Sequence, residues 1–413
     1  MKLIIVGSGV AGVTTARYVA ERDPSIEIVI YSDESLLYYP RPRLIDLVAG
    51  RLSQDEIPLY SAKWYQDRGI RLRLQQRIEG IDAKGRRVLL ASGEADSYDV
   101  LVLATGAHPW IPPIPGAELR DVYTLRTVQD ALALYDKAQR SKRAVVLGGG
   151  LLGLDTSAAL CAHNLEVCTI EALPRLLPKQ LDPQGAVVLG RIISEKGINF
   201  IAGDLCTRIE ELDGFKRVYL KSGRVLESDL VVISTGIRSN IQLAEAAGLA
   251  CHRGVVVNDC LQTSDPAIYA VGDVAEFQER VWGIIPAAVA QARVAAAQIA
   301  GDTATRYQDI VPSTTLKVTG IDLTSIGIVN PQEEGMPPDS FIELRREDAA
   351  AGIYKKLVLS EGRVIGAILL GDRADIPAIN QLIARRIDVS PYIDTLLDEG
   401  TDLMALVQSQ TTA

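Results

Sequence analysis

The chain has 413 residues, and no cysteine precedes Cys161. Its five cysteines, Cys161, Cys168, Cys206, Cys251 and Cys260, include no C-x-x-C pair and no metal-ligand spacing. They read as reduced structural thiols rather than as a redox pair or a zinc site. Histidine is scarce too: His108, His163 and His252 stand singly. Adjacent strand residues face opposite ways, so Cys251-His252 makes a poor dyad. Basic residues are outnumbered, 43 Lys and Arg against 52 Asp and Glu, for a net charge of −9. They form no stripe, so no nucleic-acid partner is expected. Long apolar runs are also lacking. The opening run is short and broken by glycines, and the alanine-rich stretch from Pro286 to Gly301 carries Gln291, Arg293 and Gln298. That pattern suits a packed helix, so neither a signal peptide nor a membrane span is expected, and the cytoplasm is the expected location.

Glycine, by contrast, is placed with purpose. Gly7-Ser8-Gly9-Val10-Ala11-Gly12 follows the apolar run Lys2 to Val6, and Gly148-Gly149-Gly150-Leu151-Leu152-Gly153 follows Arg143 to Leu147. Each Gly-x-Gly-x-x-Gly opens a helix-type segment. Such glycines permit a tight strand-to-helix turn and let a pyrophosphate approach the free N–H groups at the helix N-terminus. Two copies point to two dinucleotides. The length fits two or three domains, and the class expected is α/β with two Rossmann-like dinucleotide-binding domains.

After the first turn, Asp23-Pro24-Ser25 stops the helix and Ile26 to Tyr31 reads as a strand followed by Asp33 and Glu34. After the second, Leu165 to Ile170 reads as a strand ending at Glu171. An acid at that place accepts hydrogen bonds from ribose hydroxyls. Glu171 would repel a 2′-phosphate, so NADH is favoured over NADPH, with Arg175 four residues on as the cation able to compensate. Each half ends in a strand running into Thr-Gly: Ala104-Thr105-Gly106, and Ser234-Thr235-Gly236. A third signal is Tyr269-Ala270-Val271-Gly272-Asp273.

Taken in order, the two glycine turns, the two Thr-Gly junctions and the Gly272-Asp273 segment resemble the FAD-dependent pyridine nucleotide oxidoreductases over essentially the whole chain. Tyr39-Pro40-Arg41-Pro42-Arg43-Leu44, Leu125-Arg126-Thr127 and Trp282-Gly283-Ile284-Ile285-Pro286-Ala287-Ala288 are most similar to NAD(P)H:rubredoxin and ferredoxin reductases and to the flavin-binding part of assimilatory nitrite reductases. The resemblance implies a discontinuous FAD domain, residues 1–116 and 241–312, with an NAD domain, residues 117–240, inserted in it. Residues 313–413 follow as a small α+β C-terminal cap, with strand-like alternation over 315–319, a hairpin signal at Ser360-Glu361-Gly362-Arg363 and a helix around 379–383. FAD would be held by Gly7, Ser8, Gly9, Val10, Ala11, Gly12, Asp33, Glu34, Arg41, Pro42, Ala104, Thr105, Gly106, Gly272, Asp273, Pro286 and Ala287. In the family the residue matching Asp273 binds the flavin's ribityl chain, and the helix that Pro286 opens aims its positive end at the flavin. NAD(P)H would be held by Gly148, Gly150, Leu151, Leu152, Gly153, Asp155, Glu171, Thr235 and Gly236.

The sequence departs from the family in two places. Disulfide-reducing members carry C-x-x-x-x-C after the first β-α-β unit, and oxidases and coenzyme A disulfide reductases often a single cysteine near that place; this chain has neither there. Many ferredoxin reductases pair a lysine with a glutamate where this chain has Asp46 and Asp155, which leaves Arg43 as the expected neutraliser. With flavin and nicotinamide carrying the chemistry, no acid or base residue is required. NADH would reduce the flavin, with Leu152 shaping the nicotinamide approach. Lacking a thiol, the flavin would pass electrons outward to a rubredoxin, a ferredoxin or a nitrite reductase partner. The flavin subunit of an NAD(P)H nitrite reductase, an NADH oxidase, or an NADH-sensing flavoprotein scaffold are the alternatives. The expected state is monomer or homodimer, and Lys355-Lys356 and Arg385-Arg386 are basic pairs able to meet an acidic carrier.

Overall fold

The computed structural model describes residues 1–316, 321–398 and 400–409. They divide into two compact units. The first comprises Met1–Trp110, Arg126–Val128 and Gly236–Ile310, and the second Ile111–Leu125, Gln129–Thr235 and Val311 onward. In chain order, the elements that matter for function are β1 (Lys2–Val6), α1 (Val10–Arg22), β2 (Glu27–Tyr31), β3 (Ile70–Arg73), β4 (Val100–Leu103), β5 (Arg143–Leu147), α2 (Leu151–Cys161), β6 (Glu166–Glu171), α3 (Pro183–Glu195), β7 (Ile198–Ala202), β8 (Leu230–Ile233), β9 (Ile268–Ala270) and α4 (Ile285–Ile299).

In the first unit a parallel sheet has the order β9-β4-β1-β2-β3. Strands covered on both faces read as unbroken apolar runs, and Leu3, Ile4, Ile5, Leu101 and Val102 are fully buried. Truncating one of these leucines or isoleucines to alanine would cost about 2–5 kcal/mol. Helix α1 buries Ala11, Val13, Thr15, Ala16 and Val19 and stops at Asp23, ahead of Pro24. A glycine at 272 lets backbone come within reach of α1, since a Cβ there would sit 2.7 Å from that of Ala11.

The second unit repeats the plan: β7-β6-β5-β8 and the short strand Val122–Tyr123 form a parallel sheet. Its C-terminal part adds an antiparallel sheet in the order Ser313–Leu316, Leu323–Gly327, Arg363–Leu370, Ile353–Ser360, Ile342–Asp348. Ser360 pairs with Arg363, and Glu361 and Gly362 both have positive φ, 50° and 73°. This is the backbone a two-residue hairpin turn requires. The alternation expected over 315–319 runs past Leu316 into residues outside those described.

Leu181, Leu189 and Ile193 around α3 share one core with Tyr354, Ile368 and Leu370 of the antiparallel sheet. A buried polar knot lies beside it. Asp182, the N-cap of α3, accepts from the Gly185 N–H at 2.9 Å and the Tyr354 hydroxyl at 2.7 Å, and Lys356 Nζ lies 3.3 Å away. Burial pushes the Asp182 carboxyl up, but those hydrogen bonds and Lys356 outweigh it, holding the group below its usual range. Among the described residues, no helix is long and apolar enough to cross a membrane.

Candidate functional site

Each glycine turn can be followed atom by atom. In the first unit the Gly7 N–H donates to the Tyr31 carbonyl at 2.8 Å, and the Ala104 N–H donates to the Val6 carbonyl at 2.8 Å. Gly7 has φ +112°, and a Cβ there would lie 2.2 Å from the Ala104 oxygen. A Cβ on Gly12 would lie 2.0 Å from the Gly7 oxygen, whereas one on Gly9 would meet nothing within 4 Å. In the second unit the Gly148 N–H donates to the Ile170 carbonyl at 2.7 Å, and Gly148 has φ +118°. A Cβ on Gly153 would lie 1.9 Å from the Gly148 oxygen, and one on Gly150 would again meet nothing.

In both turns, therefore, the outer glycines are required by close packing and the middle one faces clear space. Gly9 and Gly150 are the N-caps of α1 and α2, and neither helix start receives a side-chain cap. Free N–H groups at the positive end of a helix, opening on clear space, make a seat for a phosphate group.

Around the first turn, Ser8 Oγ donates to Ser32 Oγ at 2.8 Å. Ser32 immediately follows Tyr31, the partner of Val6, just as Glu171 follows Ile170, the partner of Leu147. The position matching Glu171 is thus occupied by a serine. Asp33 is exposed one residue further on. Glu34 forms an ion pair with Arg41, and Tyr39 Oη donates to the same carboxylate at 2.5 Å. Burial opposes the charge on Arg41, but Glu34 and Tyr39 raise its affinity for the proton. Pro42 is exposed at the start of the short helix Arg43–Val48.

Thr105 is held by Asn240: its hydroxyl donates to the Asn240 carbonyl at 3.0 Å, and Asn240 Nδ2 donates to the Thr105 carbonyl at 2.7 Å. Arg126 Nη2 donates to Asp273 Oδ2 at 2.9 Å. The Gly272 N–H donates to Gln291 Oε1 at 2.7 Å, fixing the Gly-Asp backbone against α4. Pro286 is the second residue of α4, which also has no side-chain cap, and Ala287 is buried. Sequence reasoning assigned no role to Ser32, Asn240, Arg126 or Gln291. Arg126 alone stood in a quoted motif.

In the second unit Glu171 accepts from the Gly149 N–H at 2.8 Å and from the Leu173 N–H at 2.8 Å. Leu152 is 41% exposed at the start of α2, and Asp155 is half-buried one turn on. Thr235 and Gly236 follow β8, Gly236 with φ +114°.

Two expectations need correction. Arg43 does not neutralise Asp46: it donates to the carbonyls of Glu56 at 3.2 Å and Ile57 at 3.1 Å, while Asp46 pairs with Arg51 at 2.9 Å. Nor are Lys355 and Lys356 a free basic pair. Lys356 is 1% exposed, and Lys355 is held by Asp372 at 2.6 Å and Asp375 at 2.7 Å. Arg385 and Arg386 are exposed. The five cysteines are free, and burial pushes every one of their thiols up, Cys206 to about 11. None is set up as a nucleophile.

Comparison with known proteins shows the family and the fold. Residues 1–297 match the pyridine nucleotide-disulphide oxidoreductase family, and residues 312–387 match the rubredoxin NAD+ reductase C-terminal domain. The chain is 34% identical over 390 residues to the assimilatory nitrate reductase electron transfer subunit of Bacillus subtilis, covering 94% of this chain but 50% of that one. It therefore spans about half the length of that relative. It is 29% identical over 395 residues to the NADH-rubredoxin oxidoreductase of Clostridium acetobutylicum, covering 96% of both. The crystal structure of a ferredoxin reductase for the CYP199A2 system from Rhodopseudomonas palustris matches with TM-score 0.90 and 30% identity, over 98% of this chain and 99% of that one. The chain belongs to the pyridine nucleotide-disulphide oxidoreductase family, whose members use FAD and NAD(P)H.

Proposed function

We propose that the chain is an NADH-dependent flavoenzyme that reduces FAD and delivers the electrons to an external carrier of the rubredoxin or ferredoxin kind, with no disulfide between. One observation carries this reading: two uncapped glycine turns of the same construction, in a chain with no cysteine before Cys161. Gly7, Gly9 and Gly12 would seat the FAD pyrophosphate, Ser32 or the acids after it would meet the ribose, and Asp273 the ribityl chain. Gly148, Gly150, Gly153 and Glu171 would seat NADH. The fit is supported by the clear space before each helix and by the lack of any competing cap. Bound FAD supplies a two-electron acceptor able to release electrons singly.

The protein's own part is to bind and orient. Asn240 and Gln291 hold the Thr105 and Gly272 backbones, and α4 presents its positive end. On this reading residues 1–116 with 241–312 carry FAD, residues 117–240 carry NADH, and residues 313–413 form the cap. The free cysteines suit a reducing cytoplasm, and the chain would act as a monomer or homodimer.

A second reading has specific support. Because the chain spans half of the Bacillus subtilis subunit, it would equally serve as the flavin-bearing part of a nitrate or nitrite reductase. The test is NADH turnover by the flavin-loaded chain with rubredoxin, ferredoxin, a nitrite reductase partner and oxygen. Fast reduction of a carrier protein is expected. Turnover with oxygen alone would favour an NADH oxidase, and slow flavin reduction with no carrier turnover would favour an NADH-sensing scaffold.

A further inference from the structure

The loop after β6 wraps the proposed nucleotide seat: the Leu173 N–H donates to Glu171, and the Leu177 N–H donates to the Gly149 carbonyl at 3.0 Å. Arg175 lies between those two contacts. A cation at such a place commonly receives the 2′-phosphate of NADPH. Here the guanidinium is already committed. Its Nε donates to the Leu181 carbonyl at 3.1 Å and its Nη2 to the Pro178 carbonyl at 3.0 Å. Nη2 also meets both oxygens of Glu333, at 2.6 Å and 2.7 Å. Glu333 belongs to the C-terminal part of the chain, and Asn330, three residues earlier, donates to the same Pro178 and Leu181 carbonyls, at 3.2 Å and 3.1 Å.

We infer that Glu333 sets the nicotinamide preference of the enzyme by holding Arg175 away from the ribose seat, so that Glu171 acts there without a neighbouring free cation. The inference rests on the proposed NADH site. It gives the C-terminal domain a part in choosing the nucleotide: Glu333 is a positioning residue acting through Arg175. The Arg175 side chain is 13% exposed and the Glu333 side chain 54% exposed. An alanine at 333 therefore leaves the core untouched but removes the charged partner, leaving the guanidinium held by the Pro178 and Leu181 carbonyls, which a 2′-phosphate can outcompete.

The test is equilibrium binding of NAD+ and of NADP+ to the flavin-loaded protein by calorimetry, in wild type, Glu333→Ala, Glu333→Asp and the double variant Glu333→Ala/Arg175→Ala. Glu333→Ala is expected to tighten NADP+ by roughly fivefold while NAD+ changes little. The double variant should lose that gain, and Glu333→Asp should restore the wild-type ratio. A merely structural role would shift both nucleotides together. An unchanged NADP+/NAD+ ratio in Glu333→Ala, with wild type binding NAD+ normally, would overturn the inference alone. Wild type that binds neither nucleotide would instead overturn the proposed NADH site.

Discussion

The two glycine turns share a backbone and differ in the side chain that closes them. At the turn made by Gly7, Gly9 and Gly12, neutral Ser32 faces Ser8, and the nearest acid but one, Glu34, is neutralised by Arg41. At the turn made by Gly148, Gly150 and Gly153, Glu171 stands at the matching register position and accepts two backbone N–H groups. On the proposed reading the fold repeats the phosphate seat and varies the ribose end. A seat built for a permanently held group can rely on many contacts along its length, whereas a seat that must choose among soluble nucleotides needs its selectivity in one charged group.

The largest expected effect comes from breaking the shared part. Gly12→Ala and Gly153→Ala each drive a Cβ to within 2.0 Å and 1.9 Å of a fixed carbonyl oxygen. Each should cost about 3 kcal/mol of local stability. If the roles differ as proposed, Gly12→Ala yields protein depleted of flavin, read from its visible absorbance. Gly153→Ala should remain yellow yet fail to be reduced by NADH. The reverse pattern would exchange the two assignments.

Changes to the part that differs should be smaller. Glu171→Ala is expected to weaken NADH binding about tenfold, a loss of one charge-assisted contact, and to weaken NADPH less. A kinetic comparison of the two nucleotides checks this, and equal losses for both would remove Glu171 from ribose selection. Ser32→Ala removes only a neutral hydroxyl contact. Its effect on FAD retention should be about threefold or less, measured by dialysis.

Much of this was legible from residue order because it depends on local rules. Glycines that must approach a carbonyl, an apolar run covered on both faces, and Asp23-Pro24 ending a helix are each decided within a few residues. The hairpin at Glu361-Gly362 is of the same kind. What could not be read depended on distant partners or on strand phase. Ser32 rather than Asp33 proved to match Glu171 only once the pairing of Val6 with Tyr31 fixed the register. Arg126 meets Asp273 across 147 positions.

Lys355 and Lys356 looked like one exposed pair, yet neighbours on a strand face opposite sides. In the strand Ile353–Ser360, Lys356 therefore shares its face with buried Tyr354 and Val358. Arg43 was assigned to Asp46 or Asp155 because those two acids stand where many ferredoxin reductases pair a lysine with a glutamate. In the fold its guanidinium satisfies loop carbonyls instead.

The central claim is that electrons go from NADH to flavin and then leave the chain without passing through a thiol pair. Anaerobic titration of the flavin-loaded protein with NADH, followed by visible absorbance and by thiol counting before and after, tests it most directly. The account predicts complete bleaching at about one NADH per flavin, with the number of free thiols unchanged. Uptake of about two NADH per flavin accompanied by new free thiols would reveal a second two-electron store and contradict it.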